Sequence, residues 1–155
     1  IAMTKSIIEV LYPESEIFVF NPLFDDDKLS IEVTCRVPTD KQYTNEPINY
    51  VTAEQYVRCL SQTSYLLASH LLKSGLVPVN IGREALREAL SRFENIFYRH
   101  INMIFHRLTP KGEHFTMRLV LKNFRGLKKV DDFILFTFTN TRTVISGEMS
   151  FVFKW

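Results

Sequence analysis

The chain has 155 residues, of which 46% are hydrophobic and 23% charged, with a formal net charge of +2. That length holds one domain with a real core, and the composition is that of an ordinary globular protein. The charge is too small to argue for nucleic acid, and no run reaches the 18 or so apolar residues of a membrane span.

Residues 1–155 are expected to form a single domain, with Ile1-Ala2-Met3 reading as a cloning scar before a native Met start. Residues 4–11 (TKSIIEVL) predict a short helix, ended by Tyr12-Pro13 because the residue before proline avoids the helical region. Residues 16–24 (EIFVFNPLF) predict a strand broken at Asn21-Pro22, and Asp25-Asp26-Asp27 a turn. A calcium loop is not expected there, since it needs more ligands and a glycine. Residues 28–37 alternate strictly. Leu29, Ile31, Val33, Cys35 and Val37 share one face, the pattern of a half-buried antiparallel strand. Cys35 and Cys59 lack metal-type spacing and read as small core residues of a reducing compartment. A cytoplasmic protein is the default expectation.

After a polar loop, "YVTAEQYVRCLSQTSYLLASHLL" (Tyr50 to Leu72) predicts a long helix. Thr52 is its N-cap, Gln55 completes a capping box, and Gly75 is the stop. Its length is roughly 33 Å. Only Glu54 and Arg58 carry a full charge, yet Ser61, Gln62, Thr63, Ser64, Tyr65 and Ser69 run through its middle. A helix without a charged face does not belong on a surface. Buried hydroxyls need partners, at about 1–3 kcal/mol for each one left unpaired. Ser and Thr can bond back to their own helix; Gln62 and Tyr65 cannot so easily.

A shorter, one-sidedly charged helix is expected over 82–93, then strands near 96–107, 113–125, 131–140 and 144–154. Four strands with short turns predict an antiparallel meander. The fold class expected is α+β: a curved antiparallel sheet wrapped around a long central helix, the hotdog architecture. Thirteen Phe and six Tyr suit an aromatic core or an apolar tunnel.

Several stretches carry a family resemblance. "IIEVLYPES", "CLSQTSY", "EHFTMRLVLKN" and "SGEMSFVF" resemble segments of the FcoT-type long-chain fatty acyl-CoA thioesterases, a divergent hotdog family. The resemblance puts Tyr12 and Tyr43 in the places of the family's active-site tyrosines. It puts Thr52 and Ser61 where the family carries asparagines, so both keep hydrogen-bonding ability and lose an amide donor. It implies an acyl-thioester hydrolase acting on medium or long chains carried by coenzyme A or an acyl carrier protein. It also implies a homodimer or higher homo-oligomer. No cofactor and no metal are expected.

The site expected on these grounds has Tyr43, Thr52, Tyr12 and Ser61 as catalytic residues. The amides after Thr52 lie at the positive end of the helix, suited to polarising a carbonyl. Ser61 lies about 13 Å further along and on the other side of the helix, so it binds water or lines the acyl channel. Gln62 and Tyr65 are expected to bind substrate. Lys122 and Arg125, of the one basic cluster, are the candidates for coenzyme A phosphates. Glu54 reads as a helix-dipole partner. His100, His106 and His114 make a weak metal case. No GxSxG elbow exists. The rival readings are a hotdog hydroxyacyl-thioester dehydratase, for which His70 is poorly placed, and a non-catalytic acyl-binding or scaffold protein.

Overall fold

A computed structural model describes residues 5–77, 84–85, 88, 91–122, 128–130, 133–140 and 144–154. In order they form helix α1 (Ile7–Leu11), strands β1 (Val19–Asp25) and β2 (Ser30–Arg36), helix α2 (Ala53–Lys73), and strands β3 (Ile96–Phe105), β4 (His114–Leu121), β5 (Lys128–Val130), β6 (Phe133–Asn140) and β7 (Ile145–Lys154). This is a mixed α+β fold with an antiparallel sheet and one long helix. Of the helix expected over 82–93, Glu84, Ala85 and Glu88 are helical, residues 91–92 are not, and the others short of Phe93 lie outside the described residues.

Local chemistry sets the element ends. Ser6 caps α1, its amide donating to Glu9 Oε2 at 2.6 Å. Tyr12, before Pro13, is extended and stops the helix. The expected break in the first strand is a bulge. Pairing with β2 shifts between Phe20 and Leu23, and Asn21 takes a left-handed φ of 53°, which asparagine tolerates. The turn is closed by Asp25 Oδ1, which accepts from the amides of Asp27 and Lys28. At α2, the Thr52 amide donates to Gln55 Oε1 at 2.9 Å, and the Gln55 amide donates to Thr52 Oγ1. The helix leaves through a left-handed Gly75 (φ 70°), with Leu76 N–H bonded to Leu71 O and Gly75 N–H to Leu72 O.

The strand order corrects the expected meander. The sheet runs β1-β2-β4-β6-β7-β3, with β5 beside β6, and every pair is antiparallel. β3 does not pair with β4. It pairs along its whole length with β7, from Ile96↔Phe153 to Phe105↔Ile145, and ends the sheet. The segment from 106 to 113 carries the chain away from that edge instead of turning back. It is held by the Tyr50↔Pro110 bridge and by Lys111 N–H donating to Asn49 O.

The core lies between α2 and the inward face of the sheet. Ile31, Val33 and Cys35 of β2, Phe115, Met117 and Leu119 of β4, and Met149 and Phe151 of β7 are buried there. On the helix every residue from Cys59 to Ser69 is buried, so no face is left for charge. Among the described residues no helix is long and apolar enough to cross a membrane.

Gly147 shows how closely β3 and β7 meet. Its φ is 152°, and a Cβ built there falls 1.8 Å from Asn102 O. Gly147→Ala is expected to lower stability by about 2–3 kcal/mol through strain and backbone displacement. Chemical denaturation of both proteins measures it, and an unchanged midpoint would contradict this packing.

Candidate active site

The buried polar residues of α2 divide by the direction of their bonds. Three turn back on the helix: Ser61 Oγ donates to Val57 O at 2.8 Å, Thr63 Oγ1 to Cys59 O at 2.7 Å, and Ser64 Oγ to Ser61 O at 2.7 Å. Gln62 reaches outward. Its Oε1 accepts from the Phe18 amide at 2.9 Å and its Nε2 donates to Glu16 O at 2.7 Å. Gln62 is 0% exposed, and both ends of its amide are engaged with the segment that follows α1. That segment is also tied by charge. Glu16 binds Lys41 Nζ at 2.9 Å and pairs with Arg58, whose guanidinium lies 5.7 Å above the Phe18 ring.

The tied segment begins with Tyr12, whose ring centroid lies 6.5 Å from that of Tyr65. Tyr65 packs edge-on against Phe151 at 5.8 Å. Tyr98, from β3, also packs edge-on against Phe151, at 6.3 Å, and its hydroxyl donates to Ser61 Oγ. Ser61, Ser64, Tyr65, Tyr98 and Tyr12 therefore form one hydroxyl cluster midway along α2.

Burial dominates the electrostatics of this cluster. It pushes the Tyr65 phenol well above its ordinary range, with the Tyr98 dipole adding to the shift. Burial pushes Tyr12 up as well, reinforced by Tyr98 and opposed by Arg58. Tyr98 rises through burial and is partly restored by its bond to Ser61, with neighbouring Tyr65 and Ser64 acting in the same direction. All three phenols are neutral at physiological pH and act as hydrogen-bonding groups, not bases.

The expected site residues fall into two groups. Tyr12, Ser61 and Tyr65 converge in the cluster. Thr52 caps α2 nine residues before Ser61, and Tyr43 lies in the loop ahead of it, 50% exposed. Gln62 binds the Glu16–Phe18 backbone. Lys122 is exposed and pairs with Glu148 at the far end of β4. Arg125 lies outside the described residues. Glu54 is exposed in the first turn of α2. The three histidines do not gather, because β3 and β4 are not neighbours. His106 bonds Ser146 Oγ at 2.7 Å, and His114 packs against Phe20. Among the described residues no group of side chains suits a metal ion.

Sequence reading missed Tyr98. Its strand points Ile96, Tyr98, Ile101 and Met103 inward, and the pairing shift between Tyr98 and His100 breaks the alternation that would have placed it. The one available signal was a tyrosine within an otherwise aliphatic inward set.

No protein-family model matches the chain, and no curated protein matches it in sequence. Solved structures do. One is a candidate thioesterase, related to phenylacetic acid degradation, from Ralstonia eutropha JMP134. It has a TM-score of 0.53 and 10% identity, over 86% of this chain and 83% of that one. Another is the candidate thioesterase yhdA from Lactococcus lactis, with a TM-score of 0.55 and 7% identity, over 94% of this chain and 100% of that one. A third, an uncharacterized protein from Pyrococcus horikoshii, has a TM-score of 0.50 and 10% identity, over 92% of this chain and 87% of that one. The chain has a hotdog-like fold. At these identities the likeness concerns the fold and not the reaction.

The charge tie at Glu16 makes a pH prediction. Lys41 first, and Arg58 with it, hold the Glu16 carboxyl below its ordinary 4.5. A depressed carboxyl stabilises the fold above its unfolded pKa, and that contribution is lost as the pH falls through the folded pKa. Glu16 is partly exposed, so the contribution is on the order of 1 kcal/mol or less. Glu16→Gln is expected to melt below wild type at neutral pH, with the gap closing as the solution is acidified below 4.5. A gap that stays constant with pH would show the ion pairs to be without effect on stability.

Proposed function

We propose that the protein is an acyl-thioester hydrolase, acting on medium- or long-chain acyl groups carried by coenzyme A or an acyl carrier protein. The observation that carries this reading is the hydroxyl cluster on α2, set in a fold shared with candidate thioesterases. An acyl tail needs only apolar walls, whereas its carbonyl and the attacking water need hydrogen bonds. A polar knot within an otherwise apolar core is suited to those two groups. The burial of α2 all round its middle supports a sheet curved around the helix, which is the enclosure such a ligand requires. The chain acts in this reading as a single domain.

In this mechanism Tyr12, which like Tyr98 is partly exposed, directs its phenolic proton at the thioester carbonyl. Ser61 donates to Val57 O and accepts from Tyr98, which leaves one lone pair to orient water. Water adds to the carbonyl carbon, the carbon–sulfur bond breaks, and the departing thiolate takes the proton released by the water. The products are a carboxylic acid and a thiol. Tyr65 borders the acyl side. The first turn of α2, capped by Thr52, lies about 13 Å along the helix from Ser61 and takes the arm of the carrier, with Tyr43 in the loop ahead of it. Lys122, drawn from Glu148, and Arg125 serve coenzyme A phosphates.

A dehydratase would need a histidine at the reacting carbon. His70 does have a carboxylate partner, Asp26 Oδ1 at 2.6 Å. The pair lies nine residues beyond Ser61, however, stacked on Phe24 near the end of α2. Hydrolysis is therefore preferred. A scaffold remains the reading to adopt if no thioester is cleaved.

Tyr12→Phe and Tyr43→Phe, assayed side by side for thiol release from a panel of acyl-CoA esters, locate the centre. A loss in kcat on the order of 10²-fold is expected for Tyr12→Phe, with the melting temperature unchanged. The same loss confined to Tyr43→Phe would move the centre to the N-terminus of α2. Wild-type protein inert on the whole panel would defeat the hydrolase reading.

The proposed assembly is a homodimer built on β3. The two edges of the described sheet differ. β1 carries the Asn21 bulge and Pro22, both of which discourage a further strand. β3 is ten residues long, lacks proline, and exposes Phe97, Ile104 and Phe105. Such an edge is sticky unless covered, and a second copy can cover it. Sedimentation equilibrium at micromolar concentration is expected to give a dimer, and Ile104→Lys to shift it toward monomer. A monomeric wild type would remove this interface.

A further inference from the structure

We propose that Tyr98 is a positioning residue of this site, aligning Ser61 through a directional hydrogen-bond chain; the inference rests on the hydrolase reading above. The direction follows from counting protons. Ser61 has one, and it goes to Val57 O. Ser64 has one, and it goes to Ser61 O. Neither serine has a proton for Tyr98, so the bond between Tyr98 and Ser61 carries the phenolic proton, with Ser61 accepting. Having spent its proton on Ser61, the Tyr98 oxygen is left as an acceptor. The chain runs Tyr98 to Ser61 to the Val57 carbonyl.

Each link has a mechanical support. Val57 O belongs to the rigid backbone of α2, so the end of the chain is fixed. The Tyr98 ring is held edge-on by Phe151, which also holds Tyr65 edge-on. The phenol of Tyr98 thus comes from the sheet and meets hydroxyls of the helix, and its hydroxyl sets which lone pair of Ser61 remains for water. Without it Ser61 keeps its bond to Val57 but gains a second unguided lone pair. Substrate binding through apolar walls is unaffected, while the alignment of the attacking water is not.

The test is a double-mutant cycle on Tyr98→Phe and Ser61→Ala, with thiol release from acyl-CoA esters as the readout. Tyr98→Phe keeps the ring against Phe151 and removes only the hydroxyl. It is expected to lower kcat about 10- to 100-fold, the cost of misaligning a reacting group. KM is expected to stay within about two-fold, because ground-state binding is untouched. Ser61→Ala should cause a similar loss, and the double variant no further loss, since both remove one link. Wild-type activity in Tyr98→Phe, additive losses, or a rise in KM without a fall in kcat each overturn the role of Tyr98 and leave the hydrolase reading standing. An inactive wild type overturns both, and so tells the two failures apart. If Tyr98→Phe does not fold, Ser61→Ala breaks the same bond from the helix side, and unchanged kcat there overturns the proposal.

Discussion

Burial of the middle of α2, from Cys59 to Ser69, is the constraint from which the rest of the structure follows. A helix packed on one side carries its charges on the other. This one is buried on every side from Cys59 to Ser69, and charge there would cost several kcal/mol without a partner. Hydroxyls are the polar groups that a buried helix tolerates, because serine and threonine can return their proton to the preceding turn. Ser61, Thr63 and Ser64 do so, each at 2.7–2.8 Å. Once those protons are spent inward, the oxygens that remain are acceptors. They draw in phenols from elsewhere in the chain, and Tyr98 is the phenol that answers.

Gln62 solves the same problem by another route and thereby positions Tyr12. An amide has two donors and two acceptor sites, too many for its own helix to satisfy. It binds Glu16 O and the Phe18 amide instead, clamping the segment after α1 along the helix. Glu16 then holds that segment to Arg58 on α2 and to Lys41 in the following loop. The Lys41 carbonyl in turn accepts from Gln55 Nε2 at 3.3 Å and Lys111 Nζ at 2.5 Å. One connected set of bonds thus links the strap that bears Tyr12, the loop that bears Tyr43, and the capping box at Thr52. The two groups of candidate residues are structurally coupled although they are not adjacent.

The sequence discloses elements far better than partnerships. The caps of α2, the stop at Gly75, the bulge at Asn21 and the alternation of β2 each depend on residues within a few positions of one another. Each could be read directly. Strand order depends on contacts between residues far apart, and alternation reports a face, never a neighbour. That is why β3 was expected beside β4 but pairs with β7. The same reason explains the site. The uncharged, hydroxyl-rich helix was visible, and so was the burial it implied. Its phenolic partner stands on β3, beside a pairing shift that hides which way Tyr98 points. Gln62 was legible as a group that needs a partner, but that partner is main chain, which leaves no mark in the sequence.

The cluster also limits the kind of chemistry the fold can support. Its phenols are held neutral by burial, and Glu16, on the segment that begins with Tyr12, is committed to two cations. Among the described residues the cluster holds no carboxylate or imidazole, and in the hydrolase reading this favours a leaving group that departs without first being protonated. A thiolate meets that condition, being a far better leaving group than an alkoxide or an amide anion. Hydrogen-bond alignment of water against a polarised carbonyl then becomes the main contribution available from the protein, and alignment depends on fixed donors and acceptors. The back-bonded serines supply fixity from the helix, and the edge-on packing of Tyr65 and Tyr98 on Phe151 supplies it from the sheet. The burial that forbids charge on α2 is therefore also what holds the neutral groups still.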